Sequence, residues 1–254
     1  MTTEIGDERP KLADIIVPIG LGAALIALVL LIVAGPGYRL GLWPLRLGFN
    51  ILGFSAWLGM GAAAVSLLGA FLVRMAPPRR SLGLALAGAI LGMAVAAVPW
   101  HWNQTVAMMP FIHDITTDTA DPPLFVTLLA TRADAPNTSA YGGSKVAAQQ
   151  KKAYPDIVPV DLEVSEDEAF RRAEAAVRSL GWDVAALIAA EGRIEATDTT
   201  TWFGFKDDIV IRVRPVEGAP GQSRIDARSV SRIGRSDVGT NANRLRGFIS
   251  LLTD

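Results

Sequence analysis

Three long apolar runs without an ionisable side chain constrain this chain more than any other feature of its sequence. They cover residues 15–34, 51–73 and 82–98 of the 254 residues. A helix needs about 20 mostly apolar residues to cross the hydrocarbon core of a bilayer, and about 17 is near the lower limit. The runs therefore predict three transmembrane helices and an integral membrane protein whose first partner is the lipid bilayer.

The basic residues that flank these runs predict the orientation of the chain, because short cytoplasmic loops carry an excess of Lys and Arg. The loop after the first run holds two of them, Arg39 and Arg46. The other side of the membrane holds five, which are Arg9, Lys11, Arg74, Arg79 and Arg80. The leader MTTEIGDERPK lacks the basic region of a signal peptide, so the first run is expected to be retained. We expect a bacterial inner-membrane protein with a cytoplasmic N-terminus and a periplasmic C-terminal domain.

The composition of the chain excludes several classes of protein. The net charge is −1, whereas a protein that binds nucleic acid usually presents a basic domain. The absence of cysteine excludes disulfides, thiolate metal sites and a thiol nucleophile. Apolar residues concentrate before Pro99 and charged residues after it. We therefore expect a membrane domain over 1–102, an extended wrapping segment over 103–159 and an α+β domain over 160–254.

The apolar runs offer little chemistry of their own. Transporters and pumps keep ionisable side chains within their spans, and these runs contain none, so transport is not expected. Small residues recur every four positions in two rows, Ser55, Gly59, Ala63 and Gly88, Gly92, Ala96. Such rows let helix backbones approach closely. We favour packing inside one three-helix bundle over dimerisation of two chains.

The periodicity of the last hundred residues predicts a curved antiparallel sheet with helices over one face. Ser165 and Glu168 form a capping box that begins a helix, and Gly181 ends it. Strands are expected near Val160 and at 182–190, 193–201, 207–215 and 223–233, where apolar and polar residues alternate. The order of elements is β-α-β-β-β-β-α, which is an α+β fold.

The final helix of this domain is expected to cover the apolar face of the sheet. Ser236 or Asp237 can cap its N-terminus, and its apolar stripe would pack inward with Asn241 and Arg244 left outside. The opposite face of the sheet would then be exposed to solvent.

Five arginines are expected on that exposed face: Arg212, Arg214, Arg224, Arg228 and Arg232. One interpretation is a solvated ladder of ion pairs with the interleaved carboxylates of Asp208, Asp226 and Glu195, each pair worth a few tenths to about 1 kcal/mol. The other is an anion site for a phosphate, a lipid headgroup or an acidic glycan, because guanidinium forks bind such groups bidentately. The predicted ligand-binding residues are Arg212, Arg214, Arg228 and Arg232.

Two further patterns contain the residue types of a metal site or of a catalytic pair. The stretch HDITTDTADPP places Asp114 and Asp118 as candidate oxygen ligands for a metal ion, but its spacing fits no calcium loop, and Asp–Thr alternation before prolines is typical of turns. Tyr141 and Lys145 have the spacing of a catalytic Tyr-x-x-x-Lys pair, yet no dinucleotide-binding unit precedes them. We expect no cofactor.

Several stretches in order resemble one known family. They are FIHDITTDTADPPLF, AYPDI, RIEATDTTTWFGFKDDIVIRVRP and ARSVSRIGRSDVGTNANRLRGF. Over about residues 111–252 the chain resembles the family known as domain of unknown function 1499. The resemblance implies a bacterial envelope setting, with relatives in chloroplasts and membrane helices ahead of the domain in some members. It implies no reaction, so no catalytic residue can be transferred.

Three hypotheses for the function follow. The first is a non-catalytic membrane protein whose outer domain binds an envelope component, which is an anionic lipid, a glycan or a protein partner. The second is an envelope enzyme that uses acidic residues with a divalent metal. The third is a scaffold that makes only protein–protein contacts.

Overall fold

The structure is a computed structural model that describes residues 12–75 and 81–253. The chain divides into two compact units, Met1–Thr105 and Val106–Asp254. Four of the basic residues on which the predicted orientation depends lie outside the described residues; they are Arg9, Lys11, Arg79 and Arg80.

Three helices form the first unit, and the third continues into the second. They are α1 (Leu12–Arg39), α2 (Leu45–Met75) and α3 (Leu82–Met108). Each is long and apolar enough to cross a membrane, with mean hydropathies of 2.9, 1.9 and 2.1. The three predicted spans are confirmed. Each helix is longer than its apolar run, because the backbone hydrogen bonds of a helix do not require apolar side chains.

Small residues bring α2 and α3 together inside this bundle. A Cβ added at Gly92 would lie 2.5 Å from the carbonyl oxygen of Gly59, and one added at Gly59 would lie 2.8 Å from the oxygen of Gly92. Real side chains do not approach so closely, so the two backbones meet only because both residues are glycine. The predicted rows of small residues therefore pack within one chain.

The second unit is built on a six-stranded antiparallel sheet. Its strands are β1 (Asp114–Thr116), β2 (Val160–Leu162), β3 (Asp183–Ile188), β4 (Arg193–Thr199), β5 (Lys206–Pro215) and β6 (Ser223–Ser231). The strand order is β1-β6-β5-β4-β3, and β2 pairs with β6 beside β1. The predicted strands are present with ends shifted by at most two residues, whereas β1 was not expected.

Helices cover one face of this sheet, as predicted. The unit contains α4 (Gly143–Ala153), α5 (Glu166–Ser179) and α6 (Thr240–Thr253), with short 3-10 helices at Thr127–Arg132 and Ala189–Glu191. Ser165 caps α5 by accepting the N–H of Glu168, and Gly181 follows it with φ of 71°. Apolar side chains of α5 and α6 pack on those of β4, β5 and β6 in the main core. The α+β class is confirmed.

The expectation that the opposite face is exposed to solvent is wrong. Residues 117–142 lie across it, and Phe125 and Leu128 pack on Val210 and Val230 in a second apolar cluster. Among the described residues of β5 and β6 on this face, the two valines are the apolar ones and lie among arginines and aspartates. They form an apolar contact with the covering segment, residues 117–142.

The prediction that Asn241 and Arg244 stay outside is also wrong, since both are buried. Arg244 donates to Asp198 and Asp207 at 2.8 Å each, and Asn241 is hydrogen-bonded to Ser229 at 2.7 Å. The sheet side of α6 therefore contains a polar stripe beside its apolar one.

Replacing Gly92 by alanine is expected to destabilise the helix bundle. The new methyl group would collide with the backbone of α2, and overpacking of this kind costs about 1–3 kcal/mol. Gly61→Ala is the matched control, because a Cβ at Gly61 meets nothing within 4 Å. Thermal melting of both variants in detergent should show a lower Tm for Gly92→Ala alone. Equal melting of the two would contradict the packing.

Candidate functional site

Arg228 lies completely buried at the centre of the covered face. Its Nε and Nη2 donate to the two carboxylate oxygens of Asp114 at 2.9 and 2.7 Å. Nη1 and Nη2 also donate to the carbonyl oxygens of Pro123 and Ser139 at 3.1 and 2.8 Å. One side chain thus ties β6 to β1 and to two points of the covering segment, and its donors already have acceptors.

Arg232 and Arg132 share one carboxylate, that of Asp208. Arg232 binds both oxygens at 2.8 Å, and Arg132 donates to one of them at 2.6 Å. Burial raises the pKa of Asp208, but hydrogen bonds from Arg232, Thr197 and Arg132 outweigh it, so the net pKa is lowered. Asp208 stays ionised, and both arginines are held in place.

Arg212 and Arg214 are partly exposed and surrounded by acidic groups. Arg212 donates to Asp226 and Asp121 at 2.9 Å each, and Arg214 donates to Asp118 at 3.0 Å. Two arginines therefore face three aspartates, which makes this part of the face net negative. Anion binding by Arg212, Arg214, Arg228 and Arg232 stays a prediction, and their local partners favour structural pairing.

The two candidate metal ligands are likewise occupied, Asp114 by Arg228 and Asp118 by Arg214. Among the described residues, no group of three or more His, Cys, Asp or Glu is arranged to hold a metal ion. The oxygen atoms that a hard cation would need serve as acceptors for guanidinium groups.

A buried carboxylate anchors the covering segment at a second point. Glu195 accepts the backbone N–H groups of Val126, Thr127 and Leu128 at 3.0, 3.0 and 2.8 Å, and Arg193 balances its charge. It therefore satisfies the free N–H groups at the start of the 3-10 helix, as a capping side chain would. The strand alternation gave Glu195 only the role of a cross-strand partner.

The helix side of the sheet holds two further carboxylates, Asp207, which is buried, and Asp237, which is partly buried. Burial raises the pKa of Asp207 despite its ion pair with Arg244. Burial also raises the pKa of Asp237, although the N–H groups of Gly239 and Asn241 oppose the rise. Asp237 accepts those two N–H groups at 2.9 Å each, so it is the residue that caps α6, one of the two that were predicted.

A cleft of about 600 Å³ opens at one end of this unit. It is bordered by the residues before β1, the end of the covering segment, the first turns of α4 and the loop before α6. The lining residues used below are Phe111, His113, Asp114, Lys145, Val146 and Arg235. Its volume is within the range of small-molecule sites.

Lys145 and Arg235 give this cleft a charge that nothing balances. In the part of the chain that the structure describes, neither has a carboxylate within salt-bridge distance. The acidic group of the cleft, Asp114, is neutralised by Arg228. Because concave surfaces of one sign focus the potential, the cleft attracts anions.

Side-chain to backbone hydrogen bonds hold the walls of the cleft. The side chain of Gln150 on α4 pairs with the backbone of Thr116, accepting its N–H at 3.1 Å and donating to its carbonyl oxygen at 2.5 Å. Asn137 donates to the carbonyl oxygens of Ser231 and Gly234 at 3.0 and 2.8 Å. The cleft is therefore formed before any ligand arrives.

The surroundings of Tyr141 disfavour ionisation of its hydroxyl group. Burial and the nearby Asp114 raise the pKa of Tyr141 to about 12, although Arg228 opposes the rise. A catalytic tyrosine needs the opposite shift. Instead, its ring lies against the guanidinium of Arg228, 5.5 Å from the centroid.

The fold and its cleft define a helix-anchored α+β domain with an open cationic site. Residues 114–252 match the model of the family described as Protein of unknown function (DUF1499). The chain belongs to this family, and the predicted resemblance is confirmed. Searches of curated proteins and of solved structures found no match to this chain.

Replacing Arg228 by alanine is expected to destabilise the second unit strongly. Removing one partner of a buried ion pair costs about 3–5 kcal/mol, because Asp114 would stay buried without a counter-charge. Arg224→Ala is the matched control on the same strand, since its pair with Asp161 is exposed and worth about 0–1 kcal/mol.

Thermal melting of the full-length protein in detergent checks this expectation. We expect Arg228→Ala to lower the Tm of the second unit by roughly 10 °C and Arg224→Ala to leave it nearly unchanged. Similar Tm values for the two variants would show that the covering segment does not depend on Arg228.

Proposed function

We propose that the protein is a non-catalytic binding protein, anchored in the membrane by three helices, that holds an anionic component of a bacterial envelope in its cleft. The observation that carries the proposal is the pair of unbalanced cations, Lys145 and Arg235, at a preformed concave site. Family membership implies no reaction, so the proposal rests on the residues of the cleft.

The distribution of charge favours the cleft, rather than the sheet face, as the site that binds an anion. On the face, Arg228 and Arg232 are held by Asp114 and Asp208, and an anion would have to displace those carboxylates. In the cleft, an anion would meet two exposed cations that have no carboxylate partner among the described residues. Charge-assisted hydrogen bonds to such groups are worth about 1.5–3 kcal/mol.

The proposed setting is the bacterial inner membrane, with the N-terminus in the cytoplasm and the second unit in the periplasm. The excess of Lys and Arg on one side of the spans supports this orientation. An anionic lipid or an acidic glycan would then be within reach of the cleft.

A periplasmic reporter tests the orientation directly. Alkaline phosphatase fused after Asp254 is expected to be active, because that enzyme folds only where its disulfides form. A green fluorescent protein fused at the same point should stay dark when exported by the general secretory route. The reverse pattern would place the second unit in the cytoplasm and contradict the proposed setting.

Co-purification tests the proposed cleft. We expect native mass spectra of the full-length protein, extracted from bacterial membranes in a non-ionic detergent, to show a reproducible anionic adduct. Lys145→Ala with Arg235→Ala should remove it, since two cations are lost. Arg171→Ala with Arg178→Ala is the control, because it removes the same charge from the exposed face of α5.

The other outcomes of this experiment separate the alternatives. An adduct lost in Arg212→Ala with Arg214→Ala, and kept in the cleft variant, would place the ligand on the sheet face and overturn the cleft. A bound metal ion would favour the envelope enzyme. Spectra without any adduct, together with a protein that co-purifies from intact membranes, would favour the scaffold.

A further inference from the structure

We infer that the ligand of the cleft is an amphiphile: an anionic phosphate group binds at Lys145 and Arg235, and an apolar part packs on Phe111 and Val146. The inference rests on the proposed function and names the chemical class of its ligand. It follows from the presence of both cationic and apolar side chains in the lining of the cleft.

The first step concerns Phe111, a large apolar side chain that is left in solvent at the edge of the cleft. It is 57% exposed, and the guanidinium of Arg235 lies 5.5 Å from the centre of its ring. An exposed aromatic ring beside a cation offers a ligand an apolar surface and a positive charge next to each other. A small inorganic anion would use only the charge.

The second step concerns α4, whose first turns border the cleft. Its N-cap residue is Gly142, whose side chain offers no capping hydrogen bond, and Gly142 and Lys145 both line the cleft. An uncapped helix N-terminus carries partial positive charge, which adds to that of Lys145. Val146, one helical turn after Gly142, contributes an apolar surface to the same wall.

The third step is the position of Phe111 along the chain. It follows Met108, the last residue of α3, by three positions, so their Cα atoms are at most about 11 Å apart. The apolar run of α3 ends at Val98, thirteen positions before Phe111, so a short stretch of chain joins the cleft to a membrane span and favours a ligand that comes from the bilayer. The volume of about 600 Å³ suits a headgroup and the start of its acyl chains rather than a whole two-chain lipid.

Calorimetric titration of the full-length protein in a non-ionic detergent tests the inference with three probes. They are inorganic phosphate, a short-chain phosphatidylglycerol and a phosphatidylcholine of the same chain length, each below its micellar concentration. Because lipid also binds the helices, the quantity of interest is the difference between wild type and variants. The variants are Phe111→Ala, Lys145→Ala with Arg235→Ala, and the control Leu124→Ala, whose side chain is 72% exposed outside the cleft.

We expect phosphatidylglycerol to bind at least about tenfold more tightly than phosphate, because apolar contact adds to the charge. Phe111→Ala should remove that advantage and leave phosphate binding unchanged, whereas the double cation variant should weaken both. Leu124→Ala should match wild type. Phosphatidylcholine should bind weakly, since its headgroup has no net charge.

The remaining outcomes distinguish failure of this inference from failure of the proposed function. Equal binding of phosphate and phosphatidylglycerol, unaffected by Phe111→Ala, would overturn the amphiphile and leave an anion site. Phosphatidylcholine that binds as tightly as phosphatidylglycerol would overturn the anionic head. Binding of every probe that is unaffected by loss of Lys145 and Arg235 would overturn both proposals.

Discussion

A guanidinium group enclosed by protein must find its counter-charge there, and Arg228 finds it in Asp114. Burial of a charge costs several kcal/mol unless pairing and hydrogen bonds are nearly complete, so the carbonyl oxygens of Pro123 and Ser139 are part of the same requirement. These partners come from β1 and the covering segment. The ion pair therefore determines how residues 117–142 lie over the sheet and where one wall of the cleft stands.

The same requirement explains why most arginines of the second unit contribute little net charge, in contrast to Lys145 and Arg235 of the cleft. Most arginines of the second unit face aspartates or glutamates, with Asp208 and Asp226 each serving two of them. The opposite charges of such a pair largely cancel, so the pair produces little electrostatic potential at the surface. Lys145, at the start of α4, and Arg235, in the loop before α6, differ because neither has a carboxylate within salt-bridge distance among the described residues. Their potential is available to a ligand.

The sequence predicted the elements better than their surroundings, and the reasons are physical. The length of the apolar runs identified the three membrane helices, and alternation identified the strands, because burial in lipid or in a core leaves a recognisable pattern. It assigned Arg228 and Arg244 to solvent, because alternation shows which side chains share a face and cannot show what covers that face. The covering segment shows no apolar periodicity. Hydrogen bonds between its backbone and the side chains of Glu195 and Arg228 hold it in place, and such bonds leave no regular pattern of apolar side chains. Lys145 and Arg235 are ninety positions apart, and only the fold brings them to one cleft.

An anchor in the membrane changes what a binding site of this size must achieve. Two cations and one exposed aromatic ring supply a modest affinity, because association also costs translational freedom and the cleft is open to water. A ligand that lies in the same membrane as the anchor is already concentrated near the protein, and tethering of this kind raises the effective concentration to the millimolar range. Weak recognition of a lipid-borne phosphate is then sufficient for occupancy, whereas a soluble anion would need a more enclosed site. The combination of three anchoring helices with an open, partly apolar, cationic cleft is for this reason better matched to an amphiphile than to a free anion.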